Sequence, residues 1–263
     1  MNVAGRTVLL TGATGGIGHA IARRLRAHGA QLILTGRRDD VLEPLAAEIG
    51  ARAVAADLAD CEATERLAAE CGDVDILVAN AALPASGDIM SFSADEIDRA
   101  LAVNLRAPMV LARLLGERMA ERGEGHLVFI SSLSGKAGTR AGSIYSATKF
   151  GLRGFAQGLR ADLRERGVGV SAVFPGFVRD AGMFHDSGAR LPGFVGTVTP
   201  EAVAAAVARA IERNRAEVDV APLSLRAGVI AAALAPELAA SAQRKLGGDR
   251  VAADLGAGQA TKR

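Results

Sequence analysis

One tyrosine and one lysine, four residues apart, form the clearest candidate for proton chemistry in the sequence. Tyr145 is the only tyrosine, and it begins the segment YSATK that ends at Lys149. On a helix this spacing places both side chains on one face. An ammonium group lowers the pKa of a nearby phenol, and a tyrosine tuned in this way exchanges a proton with an alcohol or carbonyl oxygen near neutral pH. The pair therefore predicts the proton transfer that accompanies hydride transfer, with a chance pattern on a surface helix as the alternative.

A glycine-rich turn near the amino terminus predicts a phosphate-binding site. The apolar segment Thr7–Thr11 runs straight into GATGGIG at residues 12–18, and a helical pattern follows. Glycines let the backbone approach a pyrophosphate closely, and a helix N-terminus offers free N–H groups and the positive end of a dipole. A tight turn without a ligand is the alternative. The expected dinucleotide contacts in the turn are Thr11, Gly12, Thr14, Gly16, Ile17 and Gly18.

The end of the second predicted strand favours NADP(H), with NAD(H) as the second choice. An NAD site usually carries an acidic residue about 20 residues after the turn, where it binds the ribose 2′-hydroxyl. Here the strand is followed by Gly36-Arg37-Arg38. A guanidinium pairs with a 2′-phosphate, and Arg37 is the first candidate and Arg38 the second, unless both are solvated turn residues. Asp39 and Asp40 are expected at the N-cap and first turn of the next helix, although a shift of one position would favour NAD(H).

Strand and helix patterns alternate along the chain and would position these residues. The strand patterns are continuous apolar runs, which is expected of parallel strands covered on both faces. Their alternation with helices predicts an α/β fold, a doubly wound (Rossmann) mostly parallel seven-stranded sheet with helices on both faces, in a single domain over residues 1–248. The predicted strands are Thr7–Thr11, Gln31–Thr35, Arg52–Ala55, Asp75–Ala79, His126–Ser131, Val168–Phe174 and Glu217–Ala221. The predicted helices are Ile17–His28, Ala59–Glu70, Ala94–Glu121, Ser143–Arg166 and Pro200–Arg213.

The order of these motifs resembles that of the short-chain dehydrogenases/reductases. The turn at residues 11–18 is similar to the TGxxxGxG turn of that family, and the tyrosine and lysine are similar to its YxxxK pair. The resemblance covers about residues 6–221. It implies an NADP(H)-dependent oxidoreductase that interconverts a carbonyl and a secondary alcohol on an apolar small molecule. An NADP(H)-binding regulator or a scaffold without turnover is the alternative.

The resemblance also implies a set of catalytic residues, which are Asn104, Ser132, Tyr145 and Lys149. Ser132 precedes Tyr145 by 13 residues, as the substrate-polarising serine of the family does, and its hydroxyl would hydrogen-bond the substrate oxygen. Lys149 would lower the tyrosine pKa and bind the nicotinamide ribose. Asn104 would kink its helix and hold a water linked to the lysine, with an ordinary exposed asparagine as the alternative.

Further cofactor contacts are implied at the ends of other strands, and the sequence departs from the family there. The matching positions are Asp57, Leu58, Asn80, Ala81, Tyr145, Lys149, Pro175, Gly176 and Val178. Asp57 would contact the adenine amino group or cap the next helix. The family's NNAG element has become Ala79-Asn80-Ala81-Ala82. Asp180 stands where the PGxxxT element has threonine, so backbone groups around Gly176 and Val178 are expected to bind the nicotinamide amide instead.

The segment 177–200 and the carboxyl-terminal region carry further expectations. Apolar side chains on a glycine-jointed loop predict a mobile lid over the substrate, or else a loop packed on its own core. These side chains are Met183, Phe184, Leu191, Phe194 and Val195. The helical region 223–246 is expected to pack in the ordinary way, with a subunit or membrane contact as the alternative, and residues 249–263 are expected to form a mobile tail. Family members commonly form homodimers or homotetramers through the helices that correspond here to 94–121 and 143–166.

Composition excludes several other classes of function. The formal net charge is +2 and no basic run goes beyond pairs of arginines, which argues against a nucleic-acid partner. Two cysteines and four scattered histidines predict no metal site. The start of the chain lacks the apolar core of a signal peptide, and the most apolar late stretch is far short of the ~20 residues that span a bilayer. We therefore expect a cytoplasmic protein without an integral membrane segment.

Overall fold

In the computed structural model, which describes residues 1–193 and 195–262, seven parallel strands form one sheet in the order β3-β2-β1-β4-β5-β6-β7. The strands are β1 (Thr7–Thr11), β2 (Gln31–Gly36), β3 (Arg52–Ala55), β4 (Ile76–Ala79), β5 (Gly125–Ile130), β6 (Val168–Pro175) and β7 (Glu217–Val220). The strand order reverses between β1 and β4, so a crevice opens there at the carboxyl ends of the strands. The predicted fold class is confirmed.

Helices cover both faces of the sheet, because its central strands β4, β5 and β6 are buried along their whole length. The helices are α1 (Gly16–Ala27), α2 (Asp39–Ile49), α3 (Cys61–Glu70), α4 (Ala94–Leu101), α5 (Ala107–Arg122), α6 (Ser143–Leu163), α7 (Gly182–Ser187), α8 (Pro200–Glu212), α9 (Leu223–Leu234), α10 (Pro236–Lys245) and α11 (Gly248–Gln259). Along β1, Val8 and Leu10 belong to the core under α1, α2 and α8, whereas Leu9 belongs to the core under α3, α5 and α6. The sheet therefore separates two hydrophobic cores.

The predicted helix Ala94–Glu121 is interrupted in the structure. A π-helical segment over Ala102–Arg106 joins α4 to α5, and Asn104 lies inside it. Single π-helical turns often occur at functional sites, since they change the direction in which backbone groups and side chains point. The interruption lies where the resemblance implied a kink.

The carboxyl-terminal helices α9 and α10 do not pack as expected. Among their described residues none is buried, and Leu223 and Leu234 are 78% and 82% exposed. The face of the sheet is already covered by earlier helices, so α9 touches the core only through the half-buried Leu225 and Val229. Ordinary packing was therefore the wrong prediction for 223–246. In the described residues, no helix is long and apolar enough to cross a membrane.

Two other expectations concern segments near the crevice. The expected tail 249–263 instead contains the helix α11, whose Asp249 pairs with Arg140 at 2.8 Å. The expected lid 177–200 contains the short helix α7, and its ends are joined by a parallel bridge between Val178 and Val198. Phe194, which we counted among the apolar lid residues, lies outside the described residues. The mobility of the lid stays a prediction.

Candidate active site

The tyrosine and the lysine lie at the start of α6, beside the carboxyl end of β5. Tyr145 is in the first turn of α6 and Lys149 is one turn later. Lys149 is 2% exposed, and its ammonium donates a hydrogen bond of 2.9 Å to the carbonyl of Ile130, the last residue of β5. The same ammonium is 5.6 Å from the centre of the Tyr145 ring. The helix and the strand end therefore bring the predicted pair together and fix the lysine.

Ser132 comes two residues after β5 and joins this pair. Its hydroxyl hydrogen-bonds the Tyr145 hydroxyl, and the backbone N–H of Ser134 donates to the Ser132 Oγ at 3.1 Å. The neighbouring Ser131 hydroxyl points away and donates to the carbonyl of Lys149 at 3.1 Å. Of the three serines, the one chosen from the sequence is the one that contacts the phenol.

Burial sets the protonation of the tyrosine and the lysine. Loss of hydration raises the pKa of Tyr145 to about 12, against the opposing hydrogen bond from Ser132. Loss of hydration also lowers the pKa of Lys149 to about 8. The predicted lowering of the tyrosine pKa is therefore wrong for this structure, because desolvation outweighs the opposing hydrogen bond with Ser132. At neutral pH the phenol is protonated and can donate, while the lysine stays charged.

Asn104 is buried, and both polar atoms of its side chain have a hydrogen-bond partner. The Oδ1 atom accepts the backbone N–H of Leu83 at 2.6 Å, and the Nδ2 atom donates to the carbonyl of Leu83 at 3.0 Å. The exposed fraction of Asn104 is 1%, which rules out the alternative of an ordinary surface asparagine. Its amide therefore holds the loop after β4 in place and does not itself contact Lys149.

Thr11 and Asn80 tie the ends of β1 and β4 together at the switch point of the sheet. The Thr11 hydroxyl accepts the backbone N–H groups of Asn80 and Ala81, both at 3.0 Å. The Asn80 side-chain amide donates to the carbonyls of Thr11 and Gly12, both at 3.1 Å. Thr11 is 2% exposed and does not line the crevice, so the expected direct contact with a dinucleotide is replaced by a framework role.

A cleft of about 480 Å³ follows the glycine turn along the carboxyl ends of the strands. Eleven of the expected cofactor residues line it, namely Gly12, Thr14, Gly16, Ile17, Gly18, Arg37, Arg38, Asp57, Leu58, Asn80 and Ala81. The turn is tight, since a Cβ on Gly18 would overlap the carbonyl oxygen of Gly12. The glycines therefore allow the two ends of the turn to pack closely, and the cleft stays open beside the N-terminus of α1.

The two arginines after β2 differ in their partners. Arg38 donates to the carbonyl of Thr14 at 2.6 Å and so braces the glycine turn. Arg37 is exposed, lines the cleft and makes no hydrogen bond or ion pair with the residues that the structure describes. Asp39 and Asp40 lie in the first turn of α2, whose N-cap is Arg38 and not an aspartate as expected. The guanidinium that is available to an anion is that of Arg37.

Asp57 lines the cleft but does not cap a helix. Its Oδ1 atom accepts the backbone N–H of Ala59 at 3.0 Å, and its Oδ2 atom lies 3.5 Å from the guanidinium of Arg99. The N-cap of α3 is Asp60, whose carboxylate accepts two backbone N–H groups of the first turn. The alternative role of Asp57 as a helix cap is therefore excluded, and its carboxylate closes a turn at the cleft wall.

The end of β6 and the residues after it are held by neighbouring strands. Pro175 is buried, and the N–H of Gly176 donates to the carbonyl of Val220 at 2.9 Å. Val178 is 5% exposed and belongs to the core, where it pairs with Val198. Pro175, Gly176 and Val178 do not line the described cleft, and the cofactor contacts expected there stay a prediction.

Two helices also line the cleft, of which α7 belongs to the expected lid and α11 to the expected tail. Their residues are Gly182, Met183, Asp186 and Ser187 of α7 and Gly258 and Gln259 of α11. The contribution of α11 was missed because glycine-rich composition suggested a tail. The apolar Val251 and Leu255, four residues apart, were the available signal of a helix.

Histidines and cysteines take no part in this site. His126 is 2% exposed and its Nε2 atom lies 2.9 Å from the Ser171 hydroxyl; burial lowers its pKa to about 3. Burial raises the pKa of the Cys71 thiol to about 11. Within the described ranges, no group of three or more His, Cys, Asp or Glu side chains could hold a metal ion.

Comparison with known proteins gives matches over most of the chain. A family described as short chain dehydrogenase matches residues 6–192. Ketoacyl reductase HetN from Nostoc sp. (strain PCC 7120) is 38% identical over 226 residues, which make up 82% of this chain and 78% of the relative. A short-chain dehydrogenase from Sphingobium yanoikuyae in complex with NADPH is 28% identical, with a TM-score of 0.77 over 89% of this chain and 95% of its own. The bulky-bulky ketone specific alcohol dehydrogenase from Comamonas testosteroni is 26% identical, with a TM-score of 0.75 over 89% of this chain and 94% of its own.

Proposed function

Since the chain belongs to the short-chain dehydrogenases/reductases, a family of NAD(P)-dependent oxidoreductases, we propose that it interconverts a ketone and a secondary alcohol with NADP(H). The observation that carries the proposal is the convergence of Ser132, Tyr145 and Lys149 at the end of β5, the strand that pairs with β4, whose own end leads into the cleft of the glycine turn. A solvated surface pair would not combine a buried lysine with a serine that hydrogen-bonds the phenol.

The side chains of this site act on the substrate oxygen and its proton. Ser132 and Tyr145 hydrogen-bond the carbonyl oxygen, and the protonated phenol donates its proton as negative charge develops there. The bound nicotinamide supplies or takes up the hydride. Lys149 stays charged near the phenol, so it stabilises any phenolate that forms. Asn104 is a positioning residue that fixes Leu83 in the cleft wall.

The features of the cleft fit a dinucleotide with a 2′-phosphate. The glycine turn and the start of α1 suit a pyrophosphate, and the exposed guanidinium of Arg37 has no partner within the described chain. No acidic side chain stands at the end of β2, because Gly36 is its last residue and Arg37 and Arg38 follow it. These observations support NADP(H) over NAD(H), and the relative from Sphingobium was solved with NADPH.

The preference for NADP(H) is tested with Arg37→Ala. A charge-assisted bond to phosphate is lost, so the dissociation constant for NADPH should rise by about 10- to 100-fold while that for NADH changes less than about twofold. Calorimetric titration of both cofactors measures this, with the exposed Arg24→Ala of α1 as the matched control. An equal rise for both cofactors would remove the 2′-phosphate assignment.

Turnover is tested with Tyr145→Phe on a panel of ketones that includes 3-ketoacyl thioesters, because ketoacyl reduction is named for one relative. The variant should bind NADPH as the wild type does and lose about 10²- to 10⁴-fold in kcat, since only the acidic proton is removed. Oxidation of NADPH is followed by its absorbance. A Tyr145→Phe enzyme with wild-type activity would refute the mechanism. A wild type that binds NADPH but reduces no ketone of the panel would be a regulator or a scaffold.

The surroundings of the site support an apolar substrate. The rings of Phe177 and Phe184 pack at a centroid distance of 5.1 Å on the segment 177–200, and Met183 beside them lines the cleft. We include in the proposal a cytoplasmic enzyme that forms a homodimer or homotetramer through α4, α5 and α6. Leu101 and Phe150, which are 38% and 41% exposed, are the apolar side chains that such a contact would cover.

A further inference from the structure

The helix α11 lies against the rim of the cleft and packs there through small residues. A Cβ on Gly258 would overlap the carbonyl oxygen of Ser187 in α7, and a Cβ on Gly256 would lie 3.0 Å from the Cα of Gly87. The start of the helix is held by the ion pair of Asp249 with Arg140. The helix is therefore wedged between α7 and the loop after β4, at both walls of the cleft.

Gln259, the last residue of α11, is buried in this wall with an unsatisfied polar atom. Its exposed fraction is 5%, and its Nε2 atom donates to the carbonyl of Met183 at 3.4 Å. Its Oε1 atom is buried and has no hydrogen-bond partner among residues 1–193 and 195–262. Buried polar atoms in proteins nearly always have a partner, so this oxygen is an unused acceptor in the cleft wall, open to a donor from a bound molecule.

We propose that α11 is part of the dinucleotide site and that the Gln259 side-chain carbonyl accepts a hydrogen bond from the bound cofactor. The inference rests on the proposed function, because it takes the cleft to be the NADP(H) site. A carbonyl oxygen accepts and does not donate, so its partner is a ribose hydroxyl, the carboxamide N–H of the nicotinamide or the adenine amino group rather than a phosphate oxygen. The helix lies beyond residues 6–192, the part of the chain matched by the family, so this contact would be a feature of this chain's own carboxyl terminus.

The first test removes the acceptor. Gln259→Leu keeps the size of the side chain, and loss of one hydrogen bond should raise the NADPH dissociation constant about threefold to tenfold, measured by calorimetric titration. Gln243→Leu is the matched control, since Gln243 is an exposed glutamine of the neighbouring α10 and should leave the dissociation constant unchanged. Circular dichroism spectra establish that each variant is folded.

The second test displaces α11 without weakening the helix itself. Gly258→Ala raises helix propensity but forces α11 away from Ser187, so it should weaken NADPH binding by a similar factor even if Gln259→Leu does not fold. Gly228→Ala in α9 is its control, because a Cβ there meets no atom within 4 Å.

The outcomes separate this inference from the proposed function. A wild type that binds no NADPH overturns the proposed function. If the wild type binds NADPH but Gln259→Leu and Gly258→Ala bind it equally well, the inference alone is overturned. Tighter NADPH binding by the two variants would mean that α11 occludes the cleft. A change confined to the KM of the ketone would mean that Gln259 contacts the substrate. Either result would overturn the proposed cofactor contact.

Discussion

Substitution of Thr11 by valine tests whether the strand ends at the switch point are held by one hydroxyl. The Thr11 Oγ1 atom accepts two backbone N–H bonds, from Asn80 and Ala81, and the residue is 2% exposed. Valine has the same shape and no acceptor. Both N–H groups then lose their partner at the point where β4 leads into the cleft.

The size of the effect follows from those two bonds. A buried donor left without an acceptor costs about 1–3 kcal/mol, so the loss of both bonds in Thr11→Val should lower the free energy of unfolding by about 2–6 kcal/mol. The control is Thr35→Val on the neighbouring strand β2, since Thr35 is the register partner of Thr11 and is equally buried. The Thr35 hydroxyl has no hydrogen-bond partner within the described chain, so its replacement should change stability by between zero and about 1 kcal/mol in the stabilising direction.

Urea denaturation followed by circular dichroism measures both variants. Circular dichroism is chosen because the chain has no tryptophan and one tyrosine. NADPH binding should weaken in Thr11→Val as well, since Asn80 and Ala81 line the cleft. If Thr11→Val and Thr35→Val shifted the unfolding free energy equally, the two bonds to Thr11 would not be what joins β1 to β4.

Two further predictions concern buried groups and the turn. The pKa of His126 is about 3 in the folded chain and near 6.5 when unfolded, so the unfolded state binds more protons between those values and stability should fall as the pH drops through this window. In urea denaturation, the free energy of unfolding of His126→Gln should differ less between about pH 7 and about pH 5 than that of the wild type. An equal difference in both proteins would assign the pH dependence to other groups. Gly18→Ala should distort the turn and weaken NADPH binding at least about tenfold, because its Cβ meets the Gly12 carbonyl. Gly228→Ala in α9, whose Cβ would meet no atom within 4 Å, should bind NADPH normally in calorimetry, and equal losses in both variants would contradict the steric reasoning.

The strands and the main site elements could be predicted from the sequence because they depend on local patterns. Apolar runs such as Thr7–Thr11 and Arg52–Ala55 have the same bounds in the structure as in the prediction. The spacing of Tyr145 and Lys149 needs only one helix to bring the two side chains together. Order along the chain then places each motif at the carboxyl edge of the same sheet, which is a property of parallel topology.

The failures of prediction concern partners that are distant in the sequence. Thr11 was expected to contact the cofactor, but its hydroxyl is used by Asn80 and Ala81, 69 and 70 residues away. The tyrosine pKa was predicted from the lysine alone, whereas burial by the surrounding fold dominates it. Gln259 was assigned to a tail because composition does not show that α7 offers a surface on which a glycine-rich helix can lie. Such contacts depend on tertiary packing, which local propensity does not describe.

The single tyrosine is an intrinsic spectroscopic probe of this protein. With Tyr145 as the one phenol and no indole in the sequence, near-ultraviolet absorption above the phenylalanine bands comes from the proposed active site. Because burial raises the pKa of that phenol to about 12, the red-shifted phenolate band is absent from the native protein at neutral pH. Whatever alters the polarity or charge around this ring changes the spectrum of the whole molecule, without an introduced label.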